Sequence, residues 1–371
     1  MPPKKLLFLT LNTFSSTGGI ETVCRVAGKA LQETVEAEGV EYLHFALNDK
    51  PGDLMTHYVS LSTFRPFSGS KTRYAAQAIA TGRGCDVVIL SHINLLVIGW
   101  MIKFLSPKTK VFLLAHGIEV WVPLPSWKKR MLGKLDRILP VSEFTKEKMK
   151  TLYGLDEDRL AVLNNCLDPF LTRKLSAQDR PALRNKHGFS DKDIVLFTLT
   201  RLKSSEQYKG YDKVIRALPE VLKRYPTVKY LIGGKYDAEE KARLDQLVSE
   251  LQLQDQVFFS GFVPDEDVEG LFTLADVYAM PSTGEGFGIV FIEALFYGLP
   301  VIAGNVDGSV DALDNGRFGL LMDPNNPVEL REAICSAIEK RKELAPRAEA
   351  VADRFGFERY KEKLKAMIST G

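Results

Sequence analysis

Two glutamates eight positions apart, Glu285 and Glu293, stand in the segment of this chain with the strongest chemical pattern. Glycines at 284, 286 and 288 surround the first, and Glu293 is the sole charged residue between Phe287 and Gly304. An ionised carboxylate in so apolar a stretch costs several kcal/mol unless something pairs with it. Glu293 therefore needs a cation, backbone donors or the hydroxyls of a ligand. Glycines ahead of a helix let main-chain N–H groups approach an anion, and the helix N-terminus adds roughly half a positive charge. A diphosphate fits such a place, with Glu285 and Glu293 reaching hydroxyls on either side of it. The alternative is an ordinary strand–helix unit whose Glu293 is tied to a buried Lys or Arg.

A second cluster precedes this one. After the apolar run Ile194–Leu199 come Thr200-Arg201-Leu202 and then Tyr208-Lys209-Gly210-Tyr211-Asp212. Two cations on a loop at a strand's carboxyl end can neutralise a diphosphate leaving group as its charge develops. A plain basic surface loop is the alternative. Gly233-Gly234 and Gly261-Phe262 close two further apolar runs and suit backbone contact with a nucleoside.

These residues need strands and helices to hold them. Strand candidates in the first half are Leu6–Leu11, Asp86–Leu90, Val111–Ala115, Arg137–Val141 and Ala161–Leu163. In the second half they are Ile194–Leu199, Val228–Ile232, Gln256–Ser260, Asp276–Met280 and Pro300–Ala303. Their hydrophobicity is nearly continuous rather than alternating, as in parallel strands covered on both faces. Helical periodicity lies between them, as in Asp212–Arg224 and Ala238–Leu251. A further helix follows the glycine loop to about Tyr297, stopped by Gly298 with Pro300 beyond. The alternation implies an α/β fold of two Rossmann-like, doubly wound parallel-sheet domains. The polar stretch Asn165–Ser190, with Pro169 and Pro181, separates them. We expect an N-terminal acceptor-binding domain over 1–168, a donor domain over 169–355 and a terminal helix over 356–371. Ligands of such sheets bind beyond the carboxyl ends of strands, so two of them should face a cleft.

The composition, 45% hydrophobic and 26% charged over 371 residues, supports two ordinary hydrophobic cores. Cys24, Cys85, Cys166 and Cys335 are scattered, which argues against a disulfide framework or zinc site and suits a reducing, cytoplasmic setting. The apolar run Leu6–Leu9 is too brief for a signal peptide. The longest one, Leu95–Leu105, contains Gly99 and Lys103 and is too short to span a bilayer. A net charge of +2 disfavours nucleic-acid binding. The lack of G-x-G-x-x-G after the first strand disfavours a dehydrogenase. Charge is uneven, however: Leu54 to Lys150 holds 15 Lys/Arg against 5 Asp/Glu. That excess is either a solvated basic face or a surface drawn to anionic lipid or a phosphorylated acceptor. Within it, Trp121–Lys134 mixes aromatic, apolar and basic residues. It reads as a membrane-interface segment or as a docking helix with a basic outer face.

Together these residues resemble the large retaining glycosyltransferase family 4 (glycosyl transferases group 1), which has the GT-B fold. The likeness covers most of the chain and is strongest from Asn164 to Gly304. It rests on E-x7-E at Glu285 and Glu293 within P-S-x-x-E-G-F-G-I-V-x-x-E-A, and on Arg201 with Lys209-Gly210. It rests also on Thr17-Gly18-Gly19-Ile20-Glu21, on His116-Gly117-Ile118-Glu119-Val120-Trp121 and on Val141-Ser142-Glu143-Phe144-Thr145. The resemblance implies that Glu293 binds the donor ribose, Glu285 the transferred sugar, and Arg201 and Lys209 the diphosphate. Gly18 and Gly19 approach the donor from the N-terminal domain. Gly234, Phe262, Gly286, Phe287, Gly288 and Ile289 complete its site. His116 guides the reaction near the sugar, or is a satisfied strand-end histidine. A helix over Glu358–Ile368 crosses back to the N-terminal domain. The implied reaction is metal-independent, retaining transfer of a UDP- or GDP-linked hexose, with the nucleoside diphosphate sugar as co-substrate and no other cofactor. The implied acceptor is a lipid-linked glycan in polysaccharide or glycolipid synthesis, reached by peripheral contact with the anionic inner face of the membrane. Non-catalytic sugar-nucleotide binding, or epimerase or phosphorylase chemistry on the same scaffold, are the alternatives. Two departures stand out: Asn165-Cys166-Leu167-Asp168 where the family often has N-G-[VI]-D, and Asp307-Gly308-Ser309 where Gly-Gly is common. The second puts a phosphate or sugar contact from that loop in doubt.

Overall fold

Strand and helix alternate through a computed structural model that describes residues 4–369. Two units result, Met1–Pro169 with Phe355–Gly371 and Phe170–Arg354. The first begins β1 (Lys5–Thr10), α1 (Gly19–Glu38), β2 (Glu41–Ala46), β3 (Phe64–Pro66), α2 (Lys71–Gly82) and β4 (Val87–Leu90). It continues α3 (Leu96–Leu105), β5 (Lys110–Ala115), α4 (Ser126–Leu132), β6 (Arg137–Pro140) and α5 (Glu143–Tyr153). The second begins α6 (Arg180–Lys186), β7 (Ile194–Leu199), α7 (Tyr211–Arg224), β8 (Val228–Gly233), α8 (Ala238–Glu250) and β9 (Val257–Gly261). Then come α9 (Asp265–Leu274), β10 (Val277–Met280), α10 (Ile289–Phe296), β11 (Val301–Gly304), α11 (Ser309–Ala312), β12 (Leu320–Met322) and α12 (Pro327–Glu339). The chain closes with α13 (Arg341–Leu344), α14 (Ala348–Phe355) and α15 (Phe357–Ser369).

Each unit holds a six-stranded sheet, ordered β3-β2-β1-β4-β5-β6 and β12-β11-β10-β7-β8-β9. The pairings are parallel throughout. Both orders are the doubly wound one, whose direction reverses between β1 and β4 and between β7 and β10. Ligands of such sheets bind beyond the carboxyl ends of the strands at that reversal. Residues of β4, β10 and β11 are buried at every position, because helices cover both faces. That coverage is why their sequences show no alternation.

Three strands escaped the sequence reading. β2 begins with Glu41 and carries His44, yet His44 is wholly buried beside Thr10 and Thr13, and burial lowers its pKa to about 3. It is therefore a neutral core residue. β3 and β12 are three residues long, too short for a periodic signal. Conversely, the expected strand at Ala161–Leu163 does not form. That segment runs beside β6 through Ala161 N–H to Ile138 O (3.1 Å) and Leu163 N–H to Pro140 O (2.9 Å), joined by one isolated bridge at Leu160. The terminal helix α15 packs on α1 within the first unit, with ion pairs Lys361–Glu33 and Lys365–Glu38, both 2.7 Å.

One buried carboxylate fastens the front of the second sheet. Asp276, just before β10, accepts from Arg180 (2.7 Å), Arg184 (2.6 Å) and the Val195 N–H (2.8 Å). Arg184 is itself buried, so removing Asp276 strands a guanidinium in the core. Asp276→Ala is expected to cost about 3 kcal/mol, read as a lower urea midpoint of the full chain. An unchanged midpoint would show that the clamp carries no stability.

Candidate active site

Two loops flank the reversal point of the second sheet. The first leaves β7 at Leu199 and runs to Gly210, closing with a 3-10 segment over Ser204–Lys209. It is fixed from α8. Asp237, the N-cap of that helix, accepts from the Ser204 N–H at 3.0 Å. Glu240, fully buried one turn later, accepts from the Gln207 amide (3.1 Å), the Tyr211 hydroxyl (2.6 Å) and Arg243 (2.6 Å). Arg201 stays half exposed and pairs with Glu206 at 3.0 Å.

The second loop leaves β10 at Met280 and enters α10 through Gly288, which has φ 84°. It lies against the first. Thr283 N–H donates to Tyr208 O (2.9 Å), and a Cβ on Gly284 would sit 2.8 Å from the Tyr208 ring. Gly210 has φ 77°, and a Cβ there would meet the Pro281 carbonyl at 2.3 Å. The contact that joins the loops chemically is an ion pair between Lys209 and Glu285, whose side chains are 13% and 12% exposed. Burial favours the neutral form of Lys209, but Glu285, together with Tyr208 and Glu206, outweighs it and the ammonium pKa is raised.

Behind Glu285 lies the loop after β11. Asp307 is 1% exposed and accepts from the Ser282 hydroxyl (2.8 Å), the Glu285 N–H (2.8 Å) and the Ser309 N–H (2.9 Å). Burial raises its pKa, while hydrogen bonds from Ser309 and from the Glu285 N–H oppose the shift. Glu293 sits half-buried in the second turn of α10. Burial pushes the phenol of Tyr278 well above its ordinary value, and both Glu285 and Glu293 add to that effect.

The other expected residues fall at related places. Gly234, φ 136°, lets the end of β8 touch the loop after β7, since a Cβ there would overlap the Thr200 carbonyl at 1.7 Å. Phe262 follows β9 and is 64% exposed. Phe287 is buried, between Gly286 and Gly288 and ahead of Ile289 at the start of α10. In the first unit, Gly18 is the N-cap of α1 and Gly19 its first residue, with open space where a Cβ would stand. His116 follows β5. Its Nε2 lies 2.6 Å from Ser91 O, and a carbonyl only accepts, so Nε2 carries the proton. Nδ1 is buried with no hydrogen-bond partner among the described residues.

Comparison with known proteins places this geometry. The model for glycosyl transferases group 1 matches residues 179–353, and that for Glycosyltransferase Family 4 matches residues 17–169. The chain belongs to these glycosyl transferases. It is 31% identical over 234 residues to a GDP-mannose-dependent alpha-(1-6)-phosphatidylinositol monomannoside mannosyltransferase of Mycolicibacterium smegmatis, covering 59% of this chain and 58% of that one. It is 30% identical over 192 residues to an uncharacterized glycosyltransferase of Methanocaldococcus jannaschii, covering 52% and 48%. The match thus spans about half the length of these curated relatives. The crystal structure of Anabaena Alr3699/HepE in complex with UDP and glucose has the same fold. Its TM-score is 0.80 at 22% identity, over 99% of this chain and 100% of that one.

Two residues that fix the loop after β7, Glu240 and Asp237, went unread in the sequence. Glu240 carried a signal: Asp237-Ala-Glu-Glu240 has capping-box spacing. Its side chain turns instead to Gln207 and Tyr211, which puts α8 behind Lys209. Asp237 belongs to the same signal. Asp307 was visible as a departure from Gly-Gly, but its bonds to Glu285 were not. Gly210→Ala tests the closeness of the two loops. It must relieve a 2.3 Å overlap and adopt φ 77°, at an expected cost of about 2–3 kcal/mol. A urea midpoint at the parent value would mean that the loops part freely.

Proposed function

We propose that this chain transfers a hexosyl unit from a UDP- or GDP-linked sugar to an acceptor hydroxyl with retention of anomeric configuration. The Lys209–Glu285 pair at the sheet's reversal point carries the reading. The pair holds opposite charges ready for opposite halves of a sugar diphosphate. On binding, the diphosphate takes Lys209 and Arg201, and Glu285 turns to the hydroxyls of the transferred sugar. Glu293 takes the ribose, and main chain at Gly286, Phe287, Gly288 and Ile289, with the uncapped N-terminus of α10, meets the phosphates. Gly234 and Phe262 serve the nucleoside. In the first unit Gly18, Gly19 and His116 lie after β1 and β5, where ligands of such sheets bind, and the unpartnered Nδ1 of His116 is left for a ligand.

In the reaction the bond from the anomeric carbon to the phosphate oxygen breaks while a bond to the acceptor oxygen forms on the same face. The acceptor's proton passes to the departing phosphate. Lys209 and Arg201 stabilise the charge that gathers on that group. No metal is assigned a step, so full activity in excess EDTA is expected. Glu285→Gln is expected to lose at least about 100-fold in kcat while remaining folded, with a lowered melting point because Lys209 loses its carboxylate partner. A variant at full rate would remove the sugar contact from the proposal. A thermal-shift screen of UDP- and GDP-sugars names the base, since a ligand of the folded state raises its melting point.

For the acceptor we propose a lipid-linked glycan at an anionic membrane face. No helix among the described residues is long and apolar enough to cross a membrane. The outer face of α3 nevertheless exposes Val97, Phe104 and Leu105, with Trp100 stacked on Phe104 at 5.6 Å. Neighbouring α4 exposes Trp127 beside Lys129 and Arg130. Aromatic and cationic side chains together suit an anionic lipid interface, and the phosphatidylinositol-mannoside-directed relative agrees with such an acceptor. Flotation with phosphatidylglycerol vesicles, but not with phosphatidylcholine alone, is the expected outcome. Equal flotation removes the anionic lipid from the reading, and none removes the membrane.

A further inference from the structure

Glu285 has its main chain bound on both sides by the loop after β11. Its N–H donates to Asp307 (2.8 Å), and its carbonyl accepts from the Gly308 N–H (2.8 Å). The approach leaves no room for side chains: a Cβ on Gly308 would stand 2.0 Å from the Gly286 carbonyl, and one on Gly304 would stand 2.1 Å from that of Ser282. A carboxylate as buried as Asp307 is costly in the absence of strong donors. The donors it has are the Ser282 hydroxyl and the N–H groups of Glu285 and Ser309. It thus ties the start of the glycine loop, its acidic residue and the N-terminus of α11 to one point. No other side chain in this loop bonds both ends of the 282–285 turn among the described residues.

We propose that Asp307 is a positioning residue of the site: by clamping the Glu285 peptide it aims the Glu285 carboxylate at Lys209 in the free protein and at the transferred sugar during the reaction. The inference rests on the sugar-contact reading of Glu285. It also assigns two main-chain donors, those of Glu285 and Ser309, to Asp307 rather than to a phosphate. The loop after β11 therefore acts on the donor through Glu285 and not by direct contact.

Two measurements on the full chain test this. The first needs no substrate. Amide hydrogen–deuterium exchange of Asp307→Asn and Asp307→Ala is expected to speed about tenfold or more in the 281–288 segment and to stay at the parent rate in β7, β8 and α8. Unchanged exchange in that segment overturns the clamp, whatever the activity. If the alanine variant fails to fold, the asparagine variant decides alone. The second is a double-mutant cycle with Glu285→Gln, following release of nucleoside diphosphate from UDP-glucose and from GDP-mannose. Asp307→Ala is expected to lower kcat 10- to 100-fold with the donor KM within threefold. In the Glu285→Gln background it should cost less than threefold more, because the clamp then holds a side chain that no longer acts. Full additivity overturns the proposal. Glu285→Gln at full rate with fast exchange in Asp307→Asn would instead sink the sugar contact and leave the clamp standing. Where neither donor is turned over, the exchange result decides.

Discussion

An ammonium and a carboxylate held together, each nearly nine-tenths out of water, constrain everything around them. Lys209 and Glu285 come from loops 76 positions apart in the chain, and they meet because β7 and β10 are neighbours at the reversal of a parallel sheet. Bringing two charges out of water is repaid only when their geometry is good and the flanking groups are fixed. The surroundings meet that demand. Glu240 and Asp237 hold the loop that carries Lys209, Asp307 holds the loop that carries Glu285, and glycines at 210 and 284 let the two loops touch.

The same pair limits what a ligand must offer. Separating it in place leaves a carboxylate and an ammonium without partners, at a cost comparable to that of other broken buried pairs, about 3–5 kcal/mol at the fully buried limit and less here. A molecule with phosphate alone satisfies Lys209 and abandons Glu285. A polyol alone does the reverse. A sugar diphosphate supplies both partners at once, so under the proposed reading the pair is exchanged rather than broken.

How much of this was legible in the sequence follows from the range of each interaction. The parallel sheets were legible because burial on both faces writes a continuous apolar run into β1, β4, β7 and β10. β2 hid behind Glu41 and His44, since burial that neutralises a histidine leaves no trace in the letters. β3 and β12 are too short to repeat a period. Glu285, Glu293, Arg201 and Lys209 were legible as types at spacings, since glycines and an apolar helix mark the two glutamates locally. That Lys209 pairs with Glu285 was not, because nothing local ties position 209 to 285.

Asp307 shows where local reading fails in a different way. In the chain it looks like a lost glycine, and the natural inference is a lost contact. In the fold its backbone neighbour Gly308 still makes the close approach, and the added carboxylate fills the place where main-chain donors of Glu285 and Ser309 converge. The substitution therefore exchanges conformational freedom for a fixed acceptor. Such an exchange is tolerable only where the turn already points its N–H groups inward and water is excluded, since an aspartate without those donors would be a buried, unsatisfied charge. The neighbouring Ser282 fits the same logic, because its buried hydroxyl has Asp307 and Ser309 as partners. Residues 282, 285, 307 and 309 thus form one hydrogen-bonded unit, and its meaning is readable only when the loops after β10 and β11 are seen side by side.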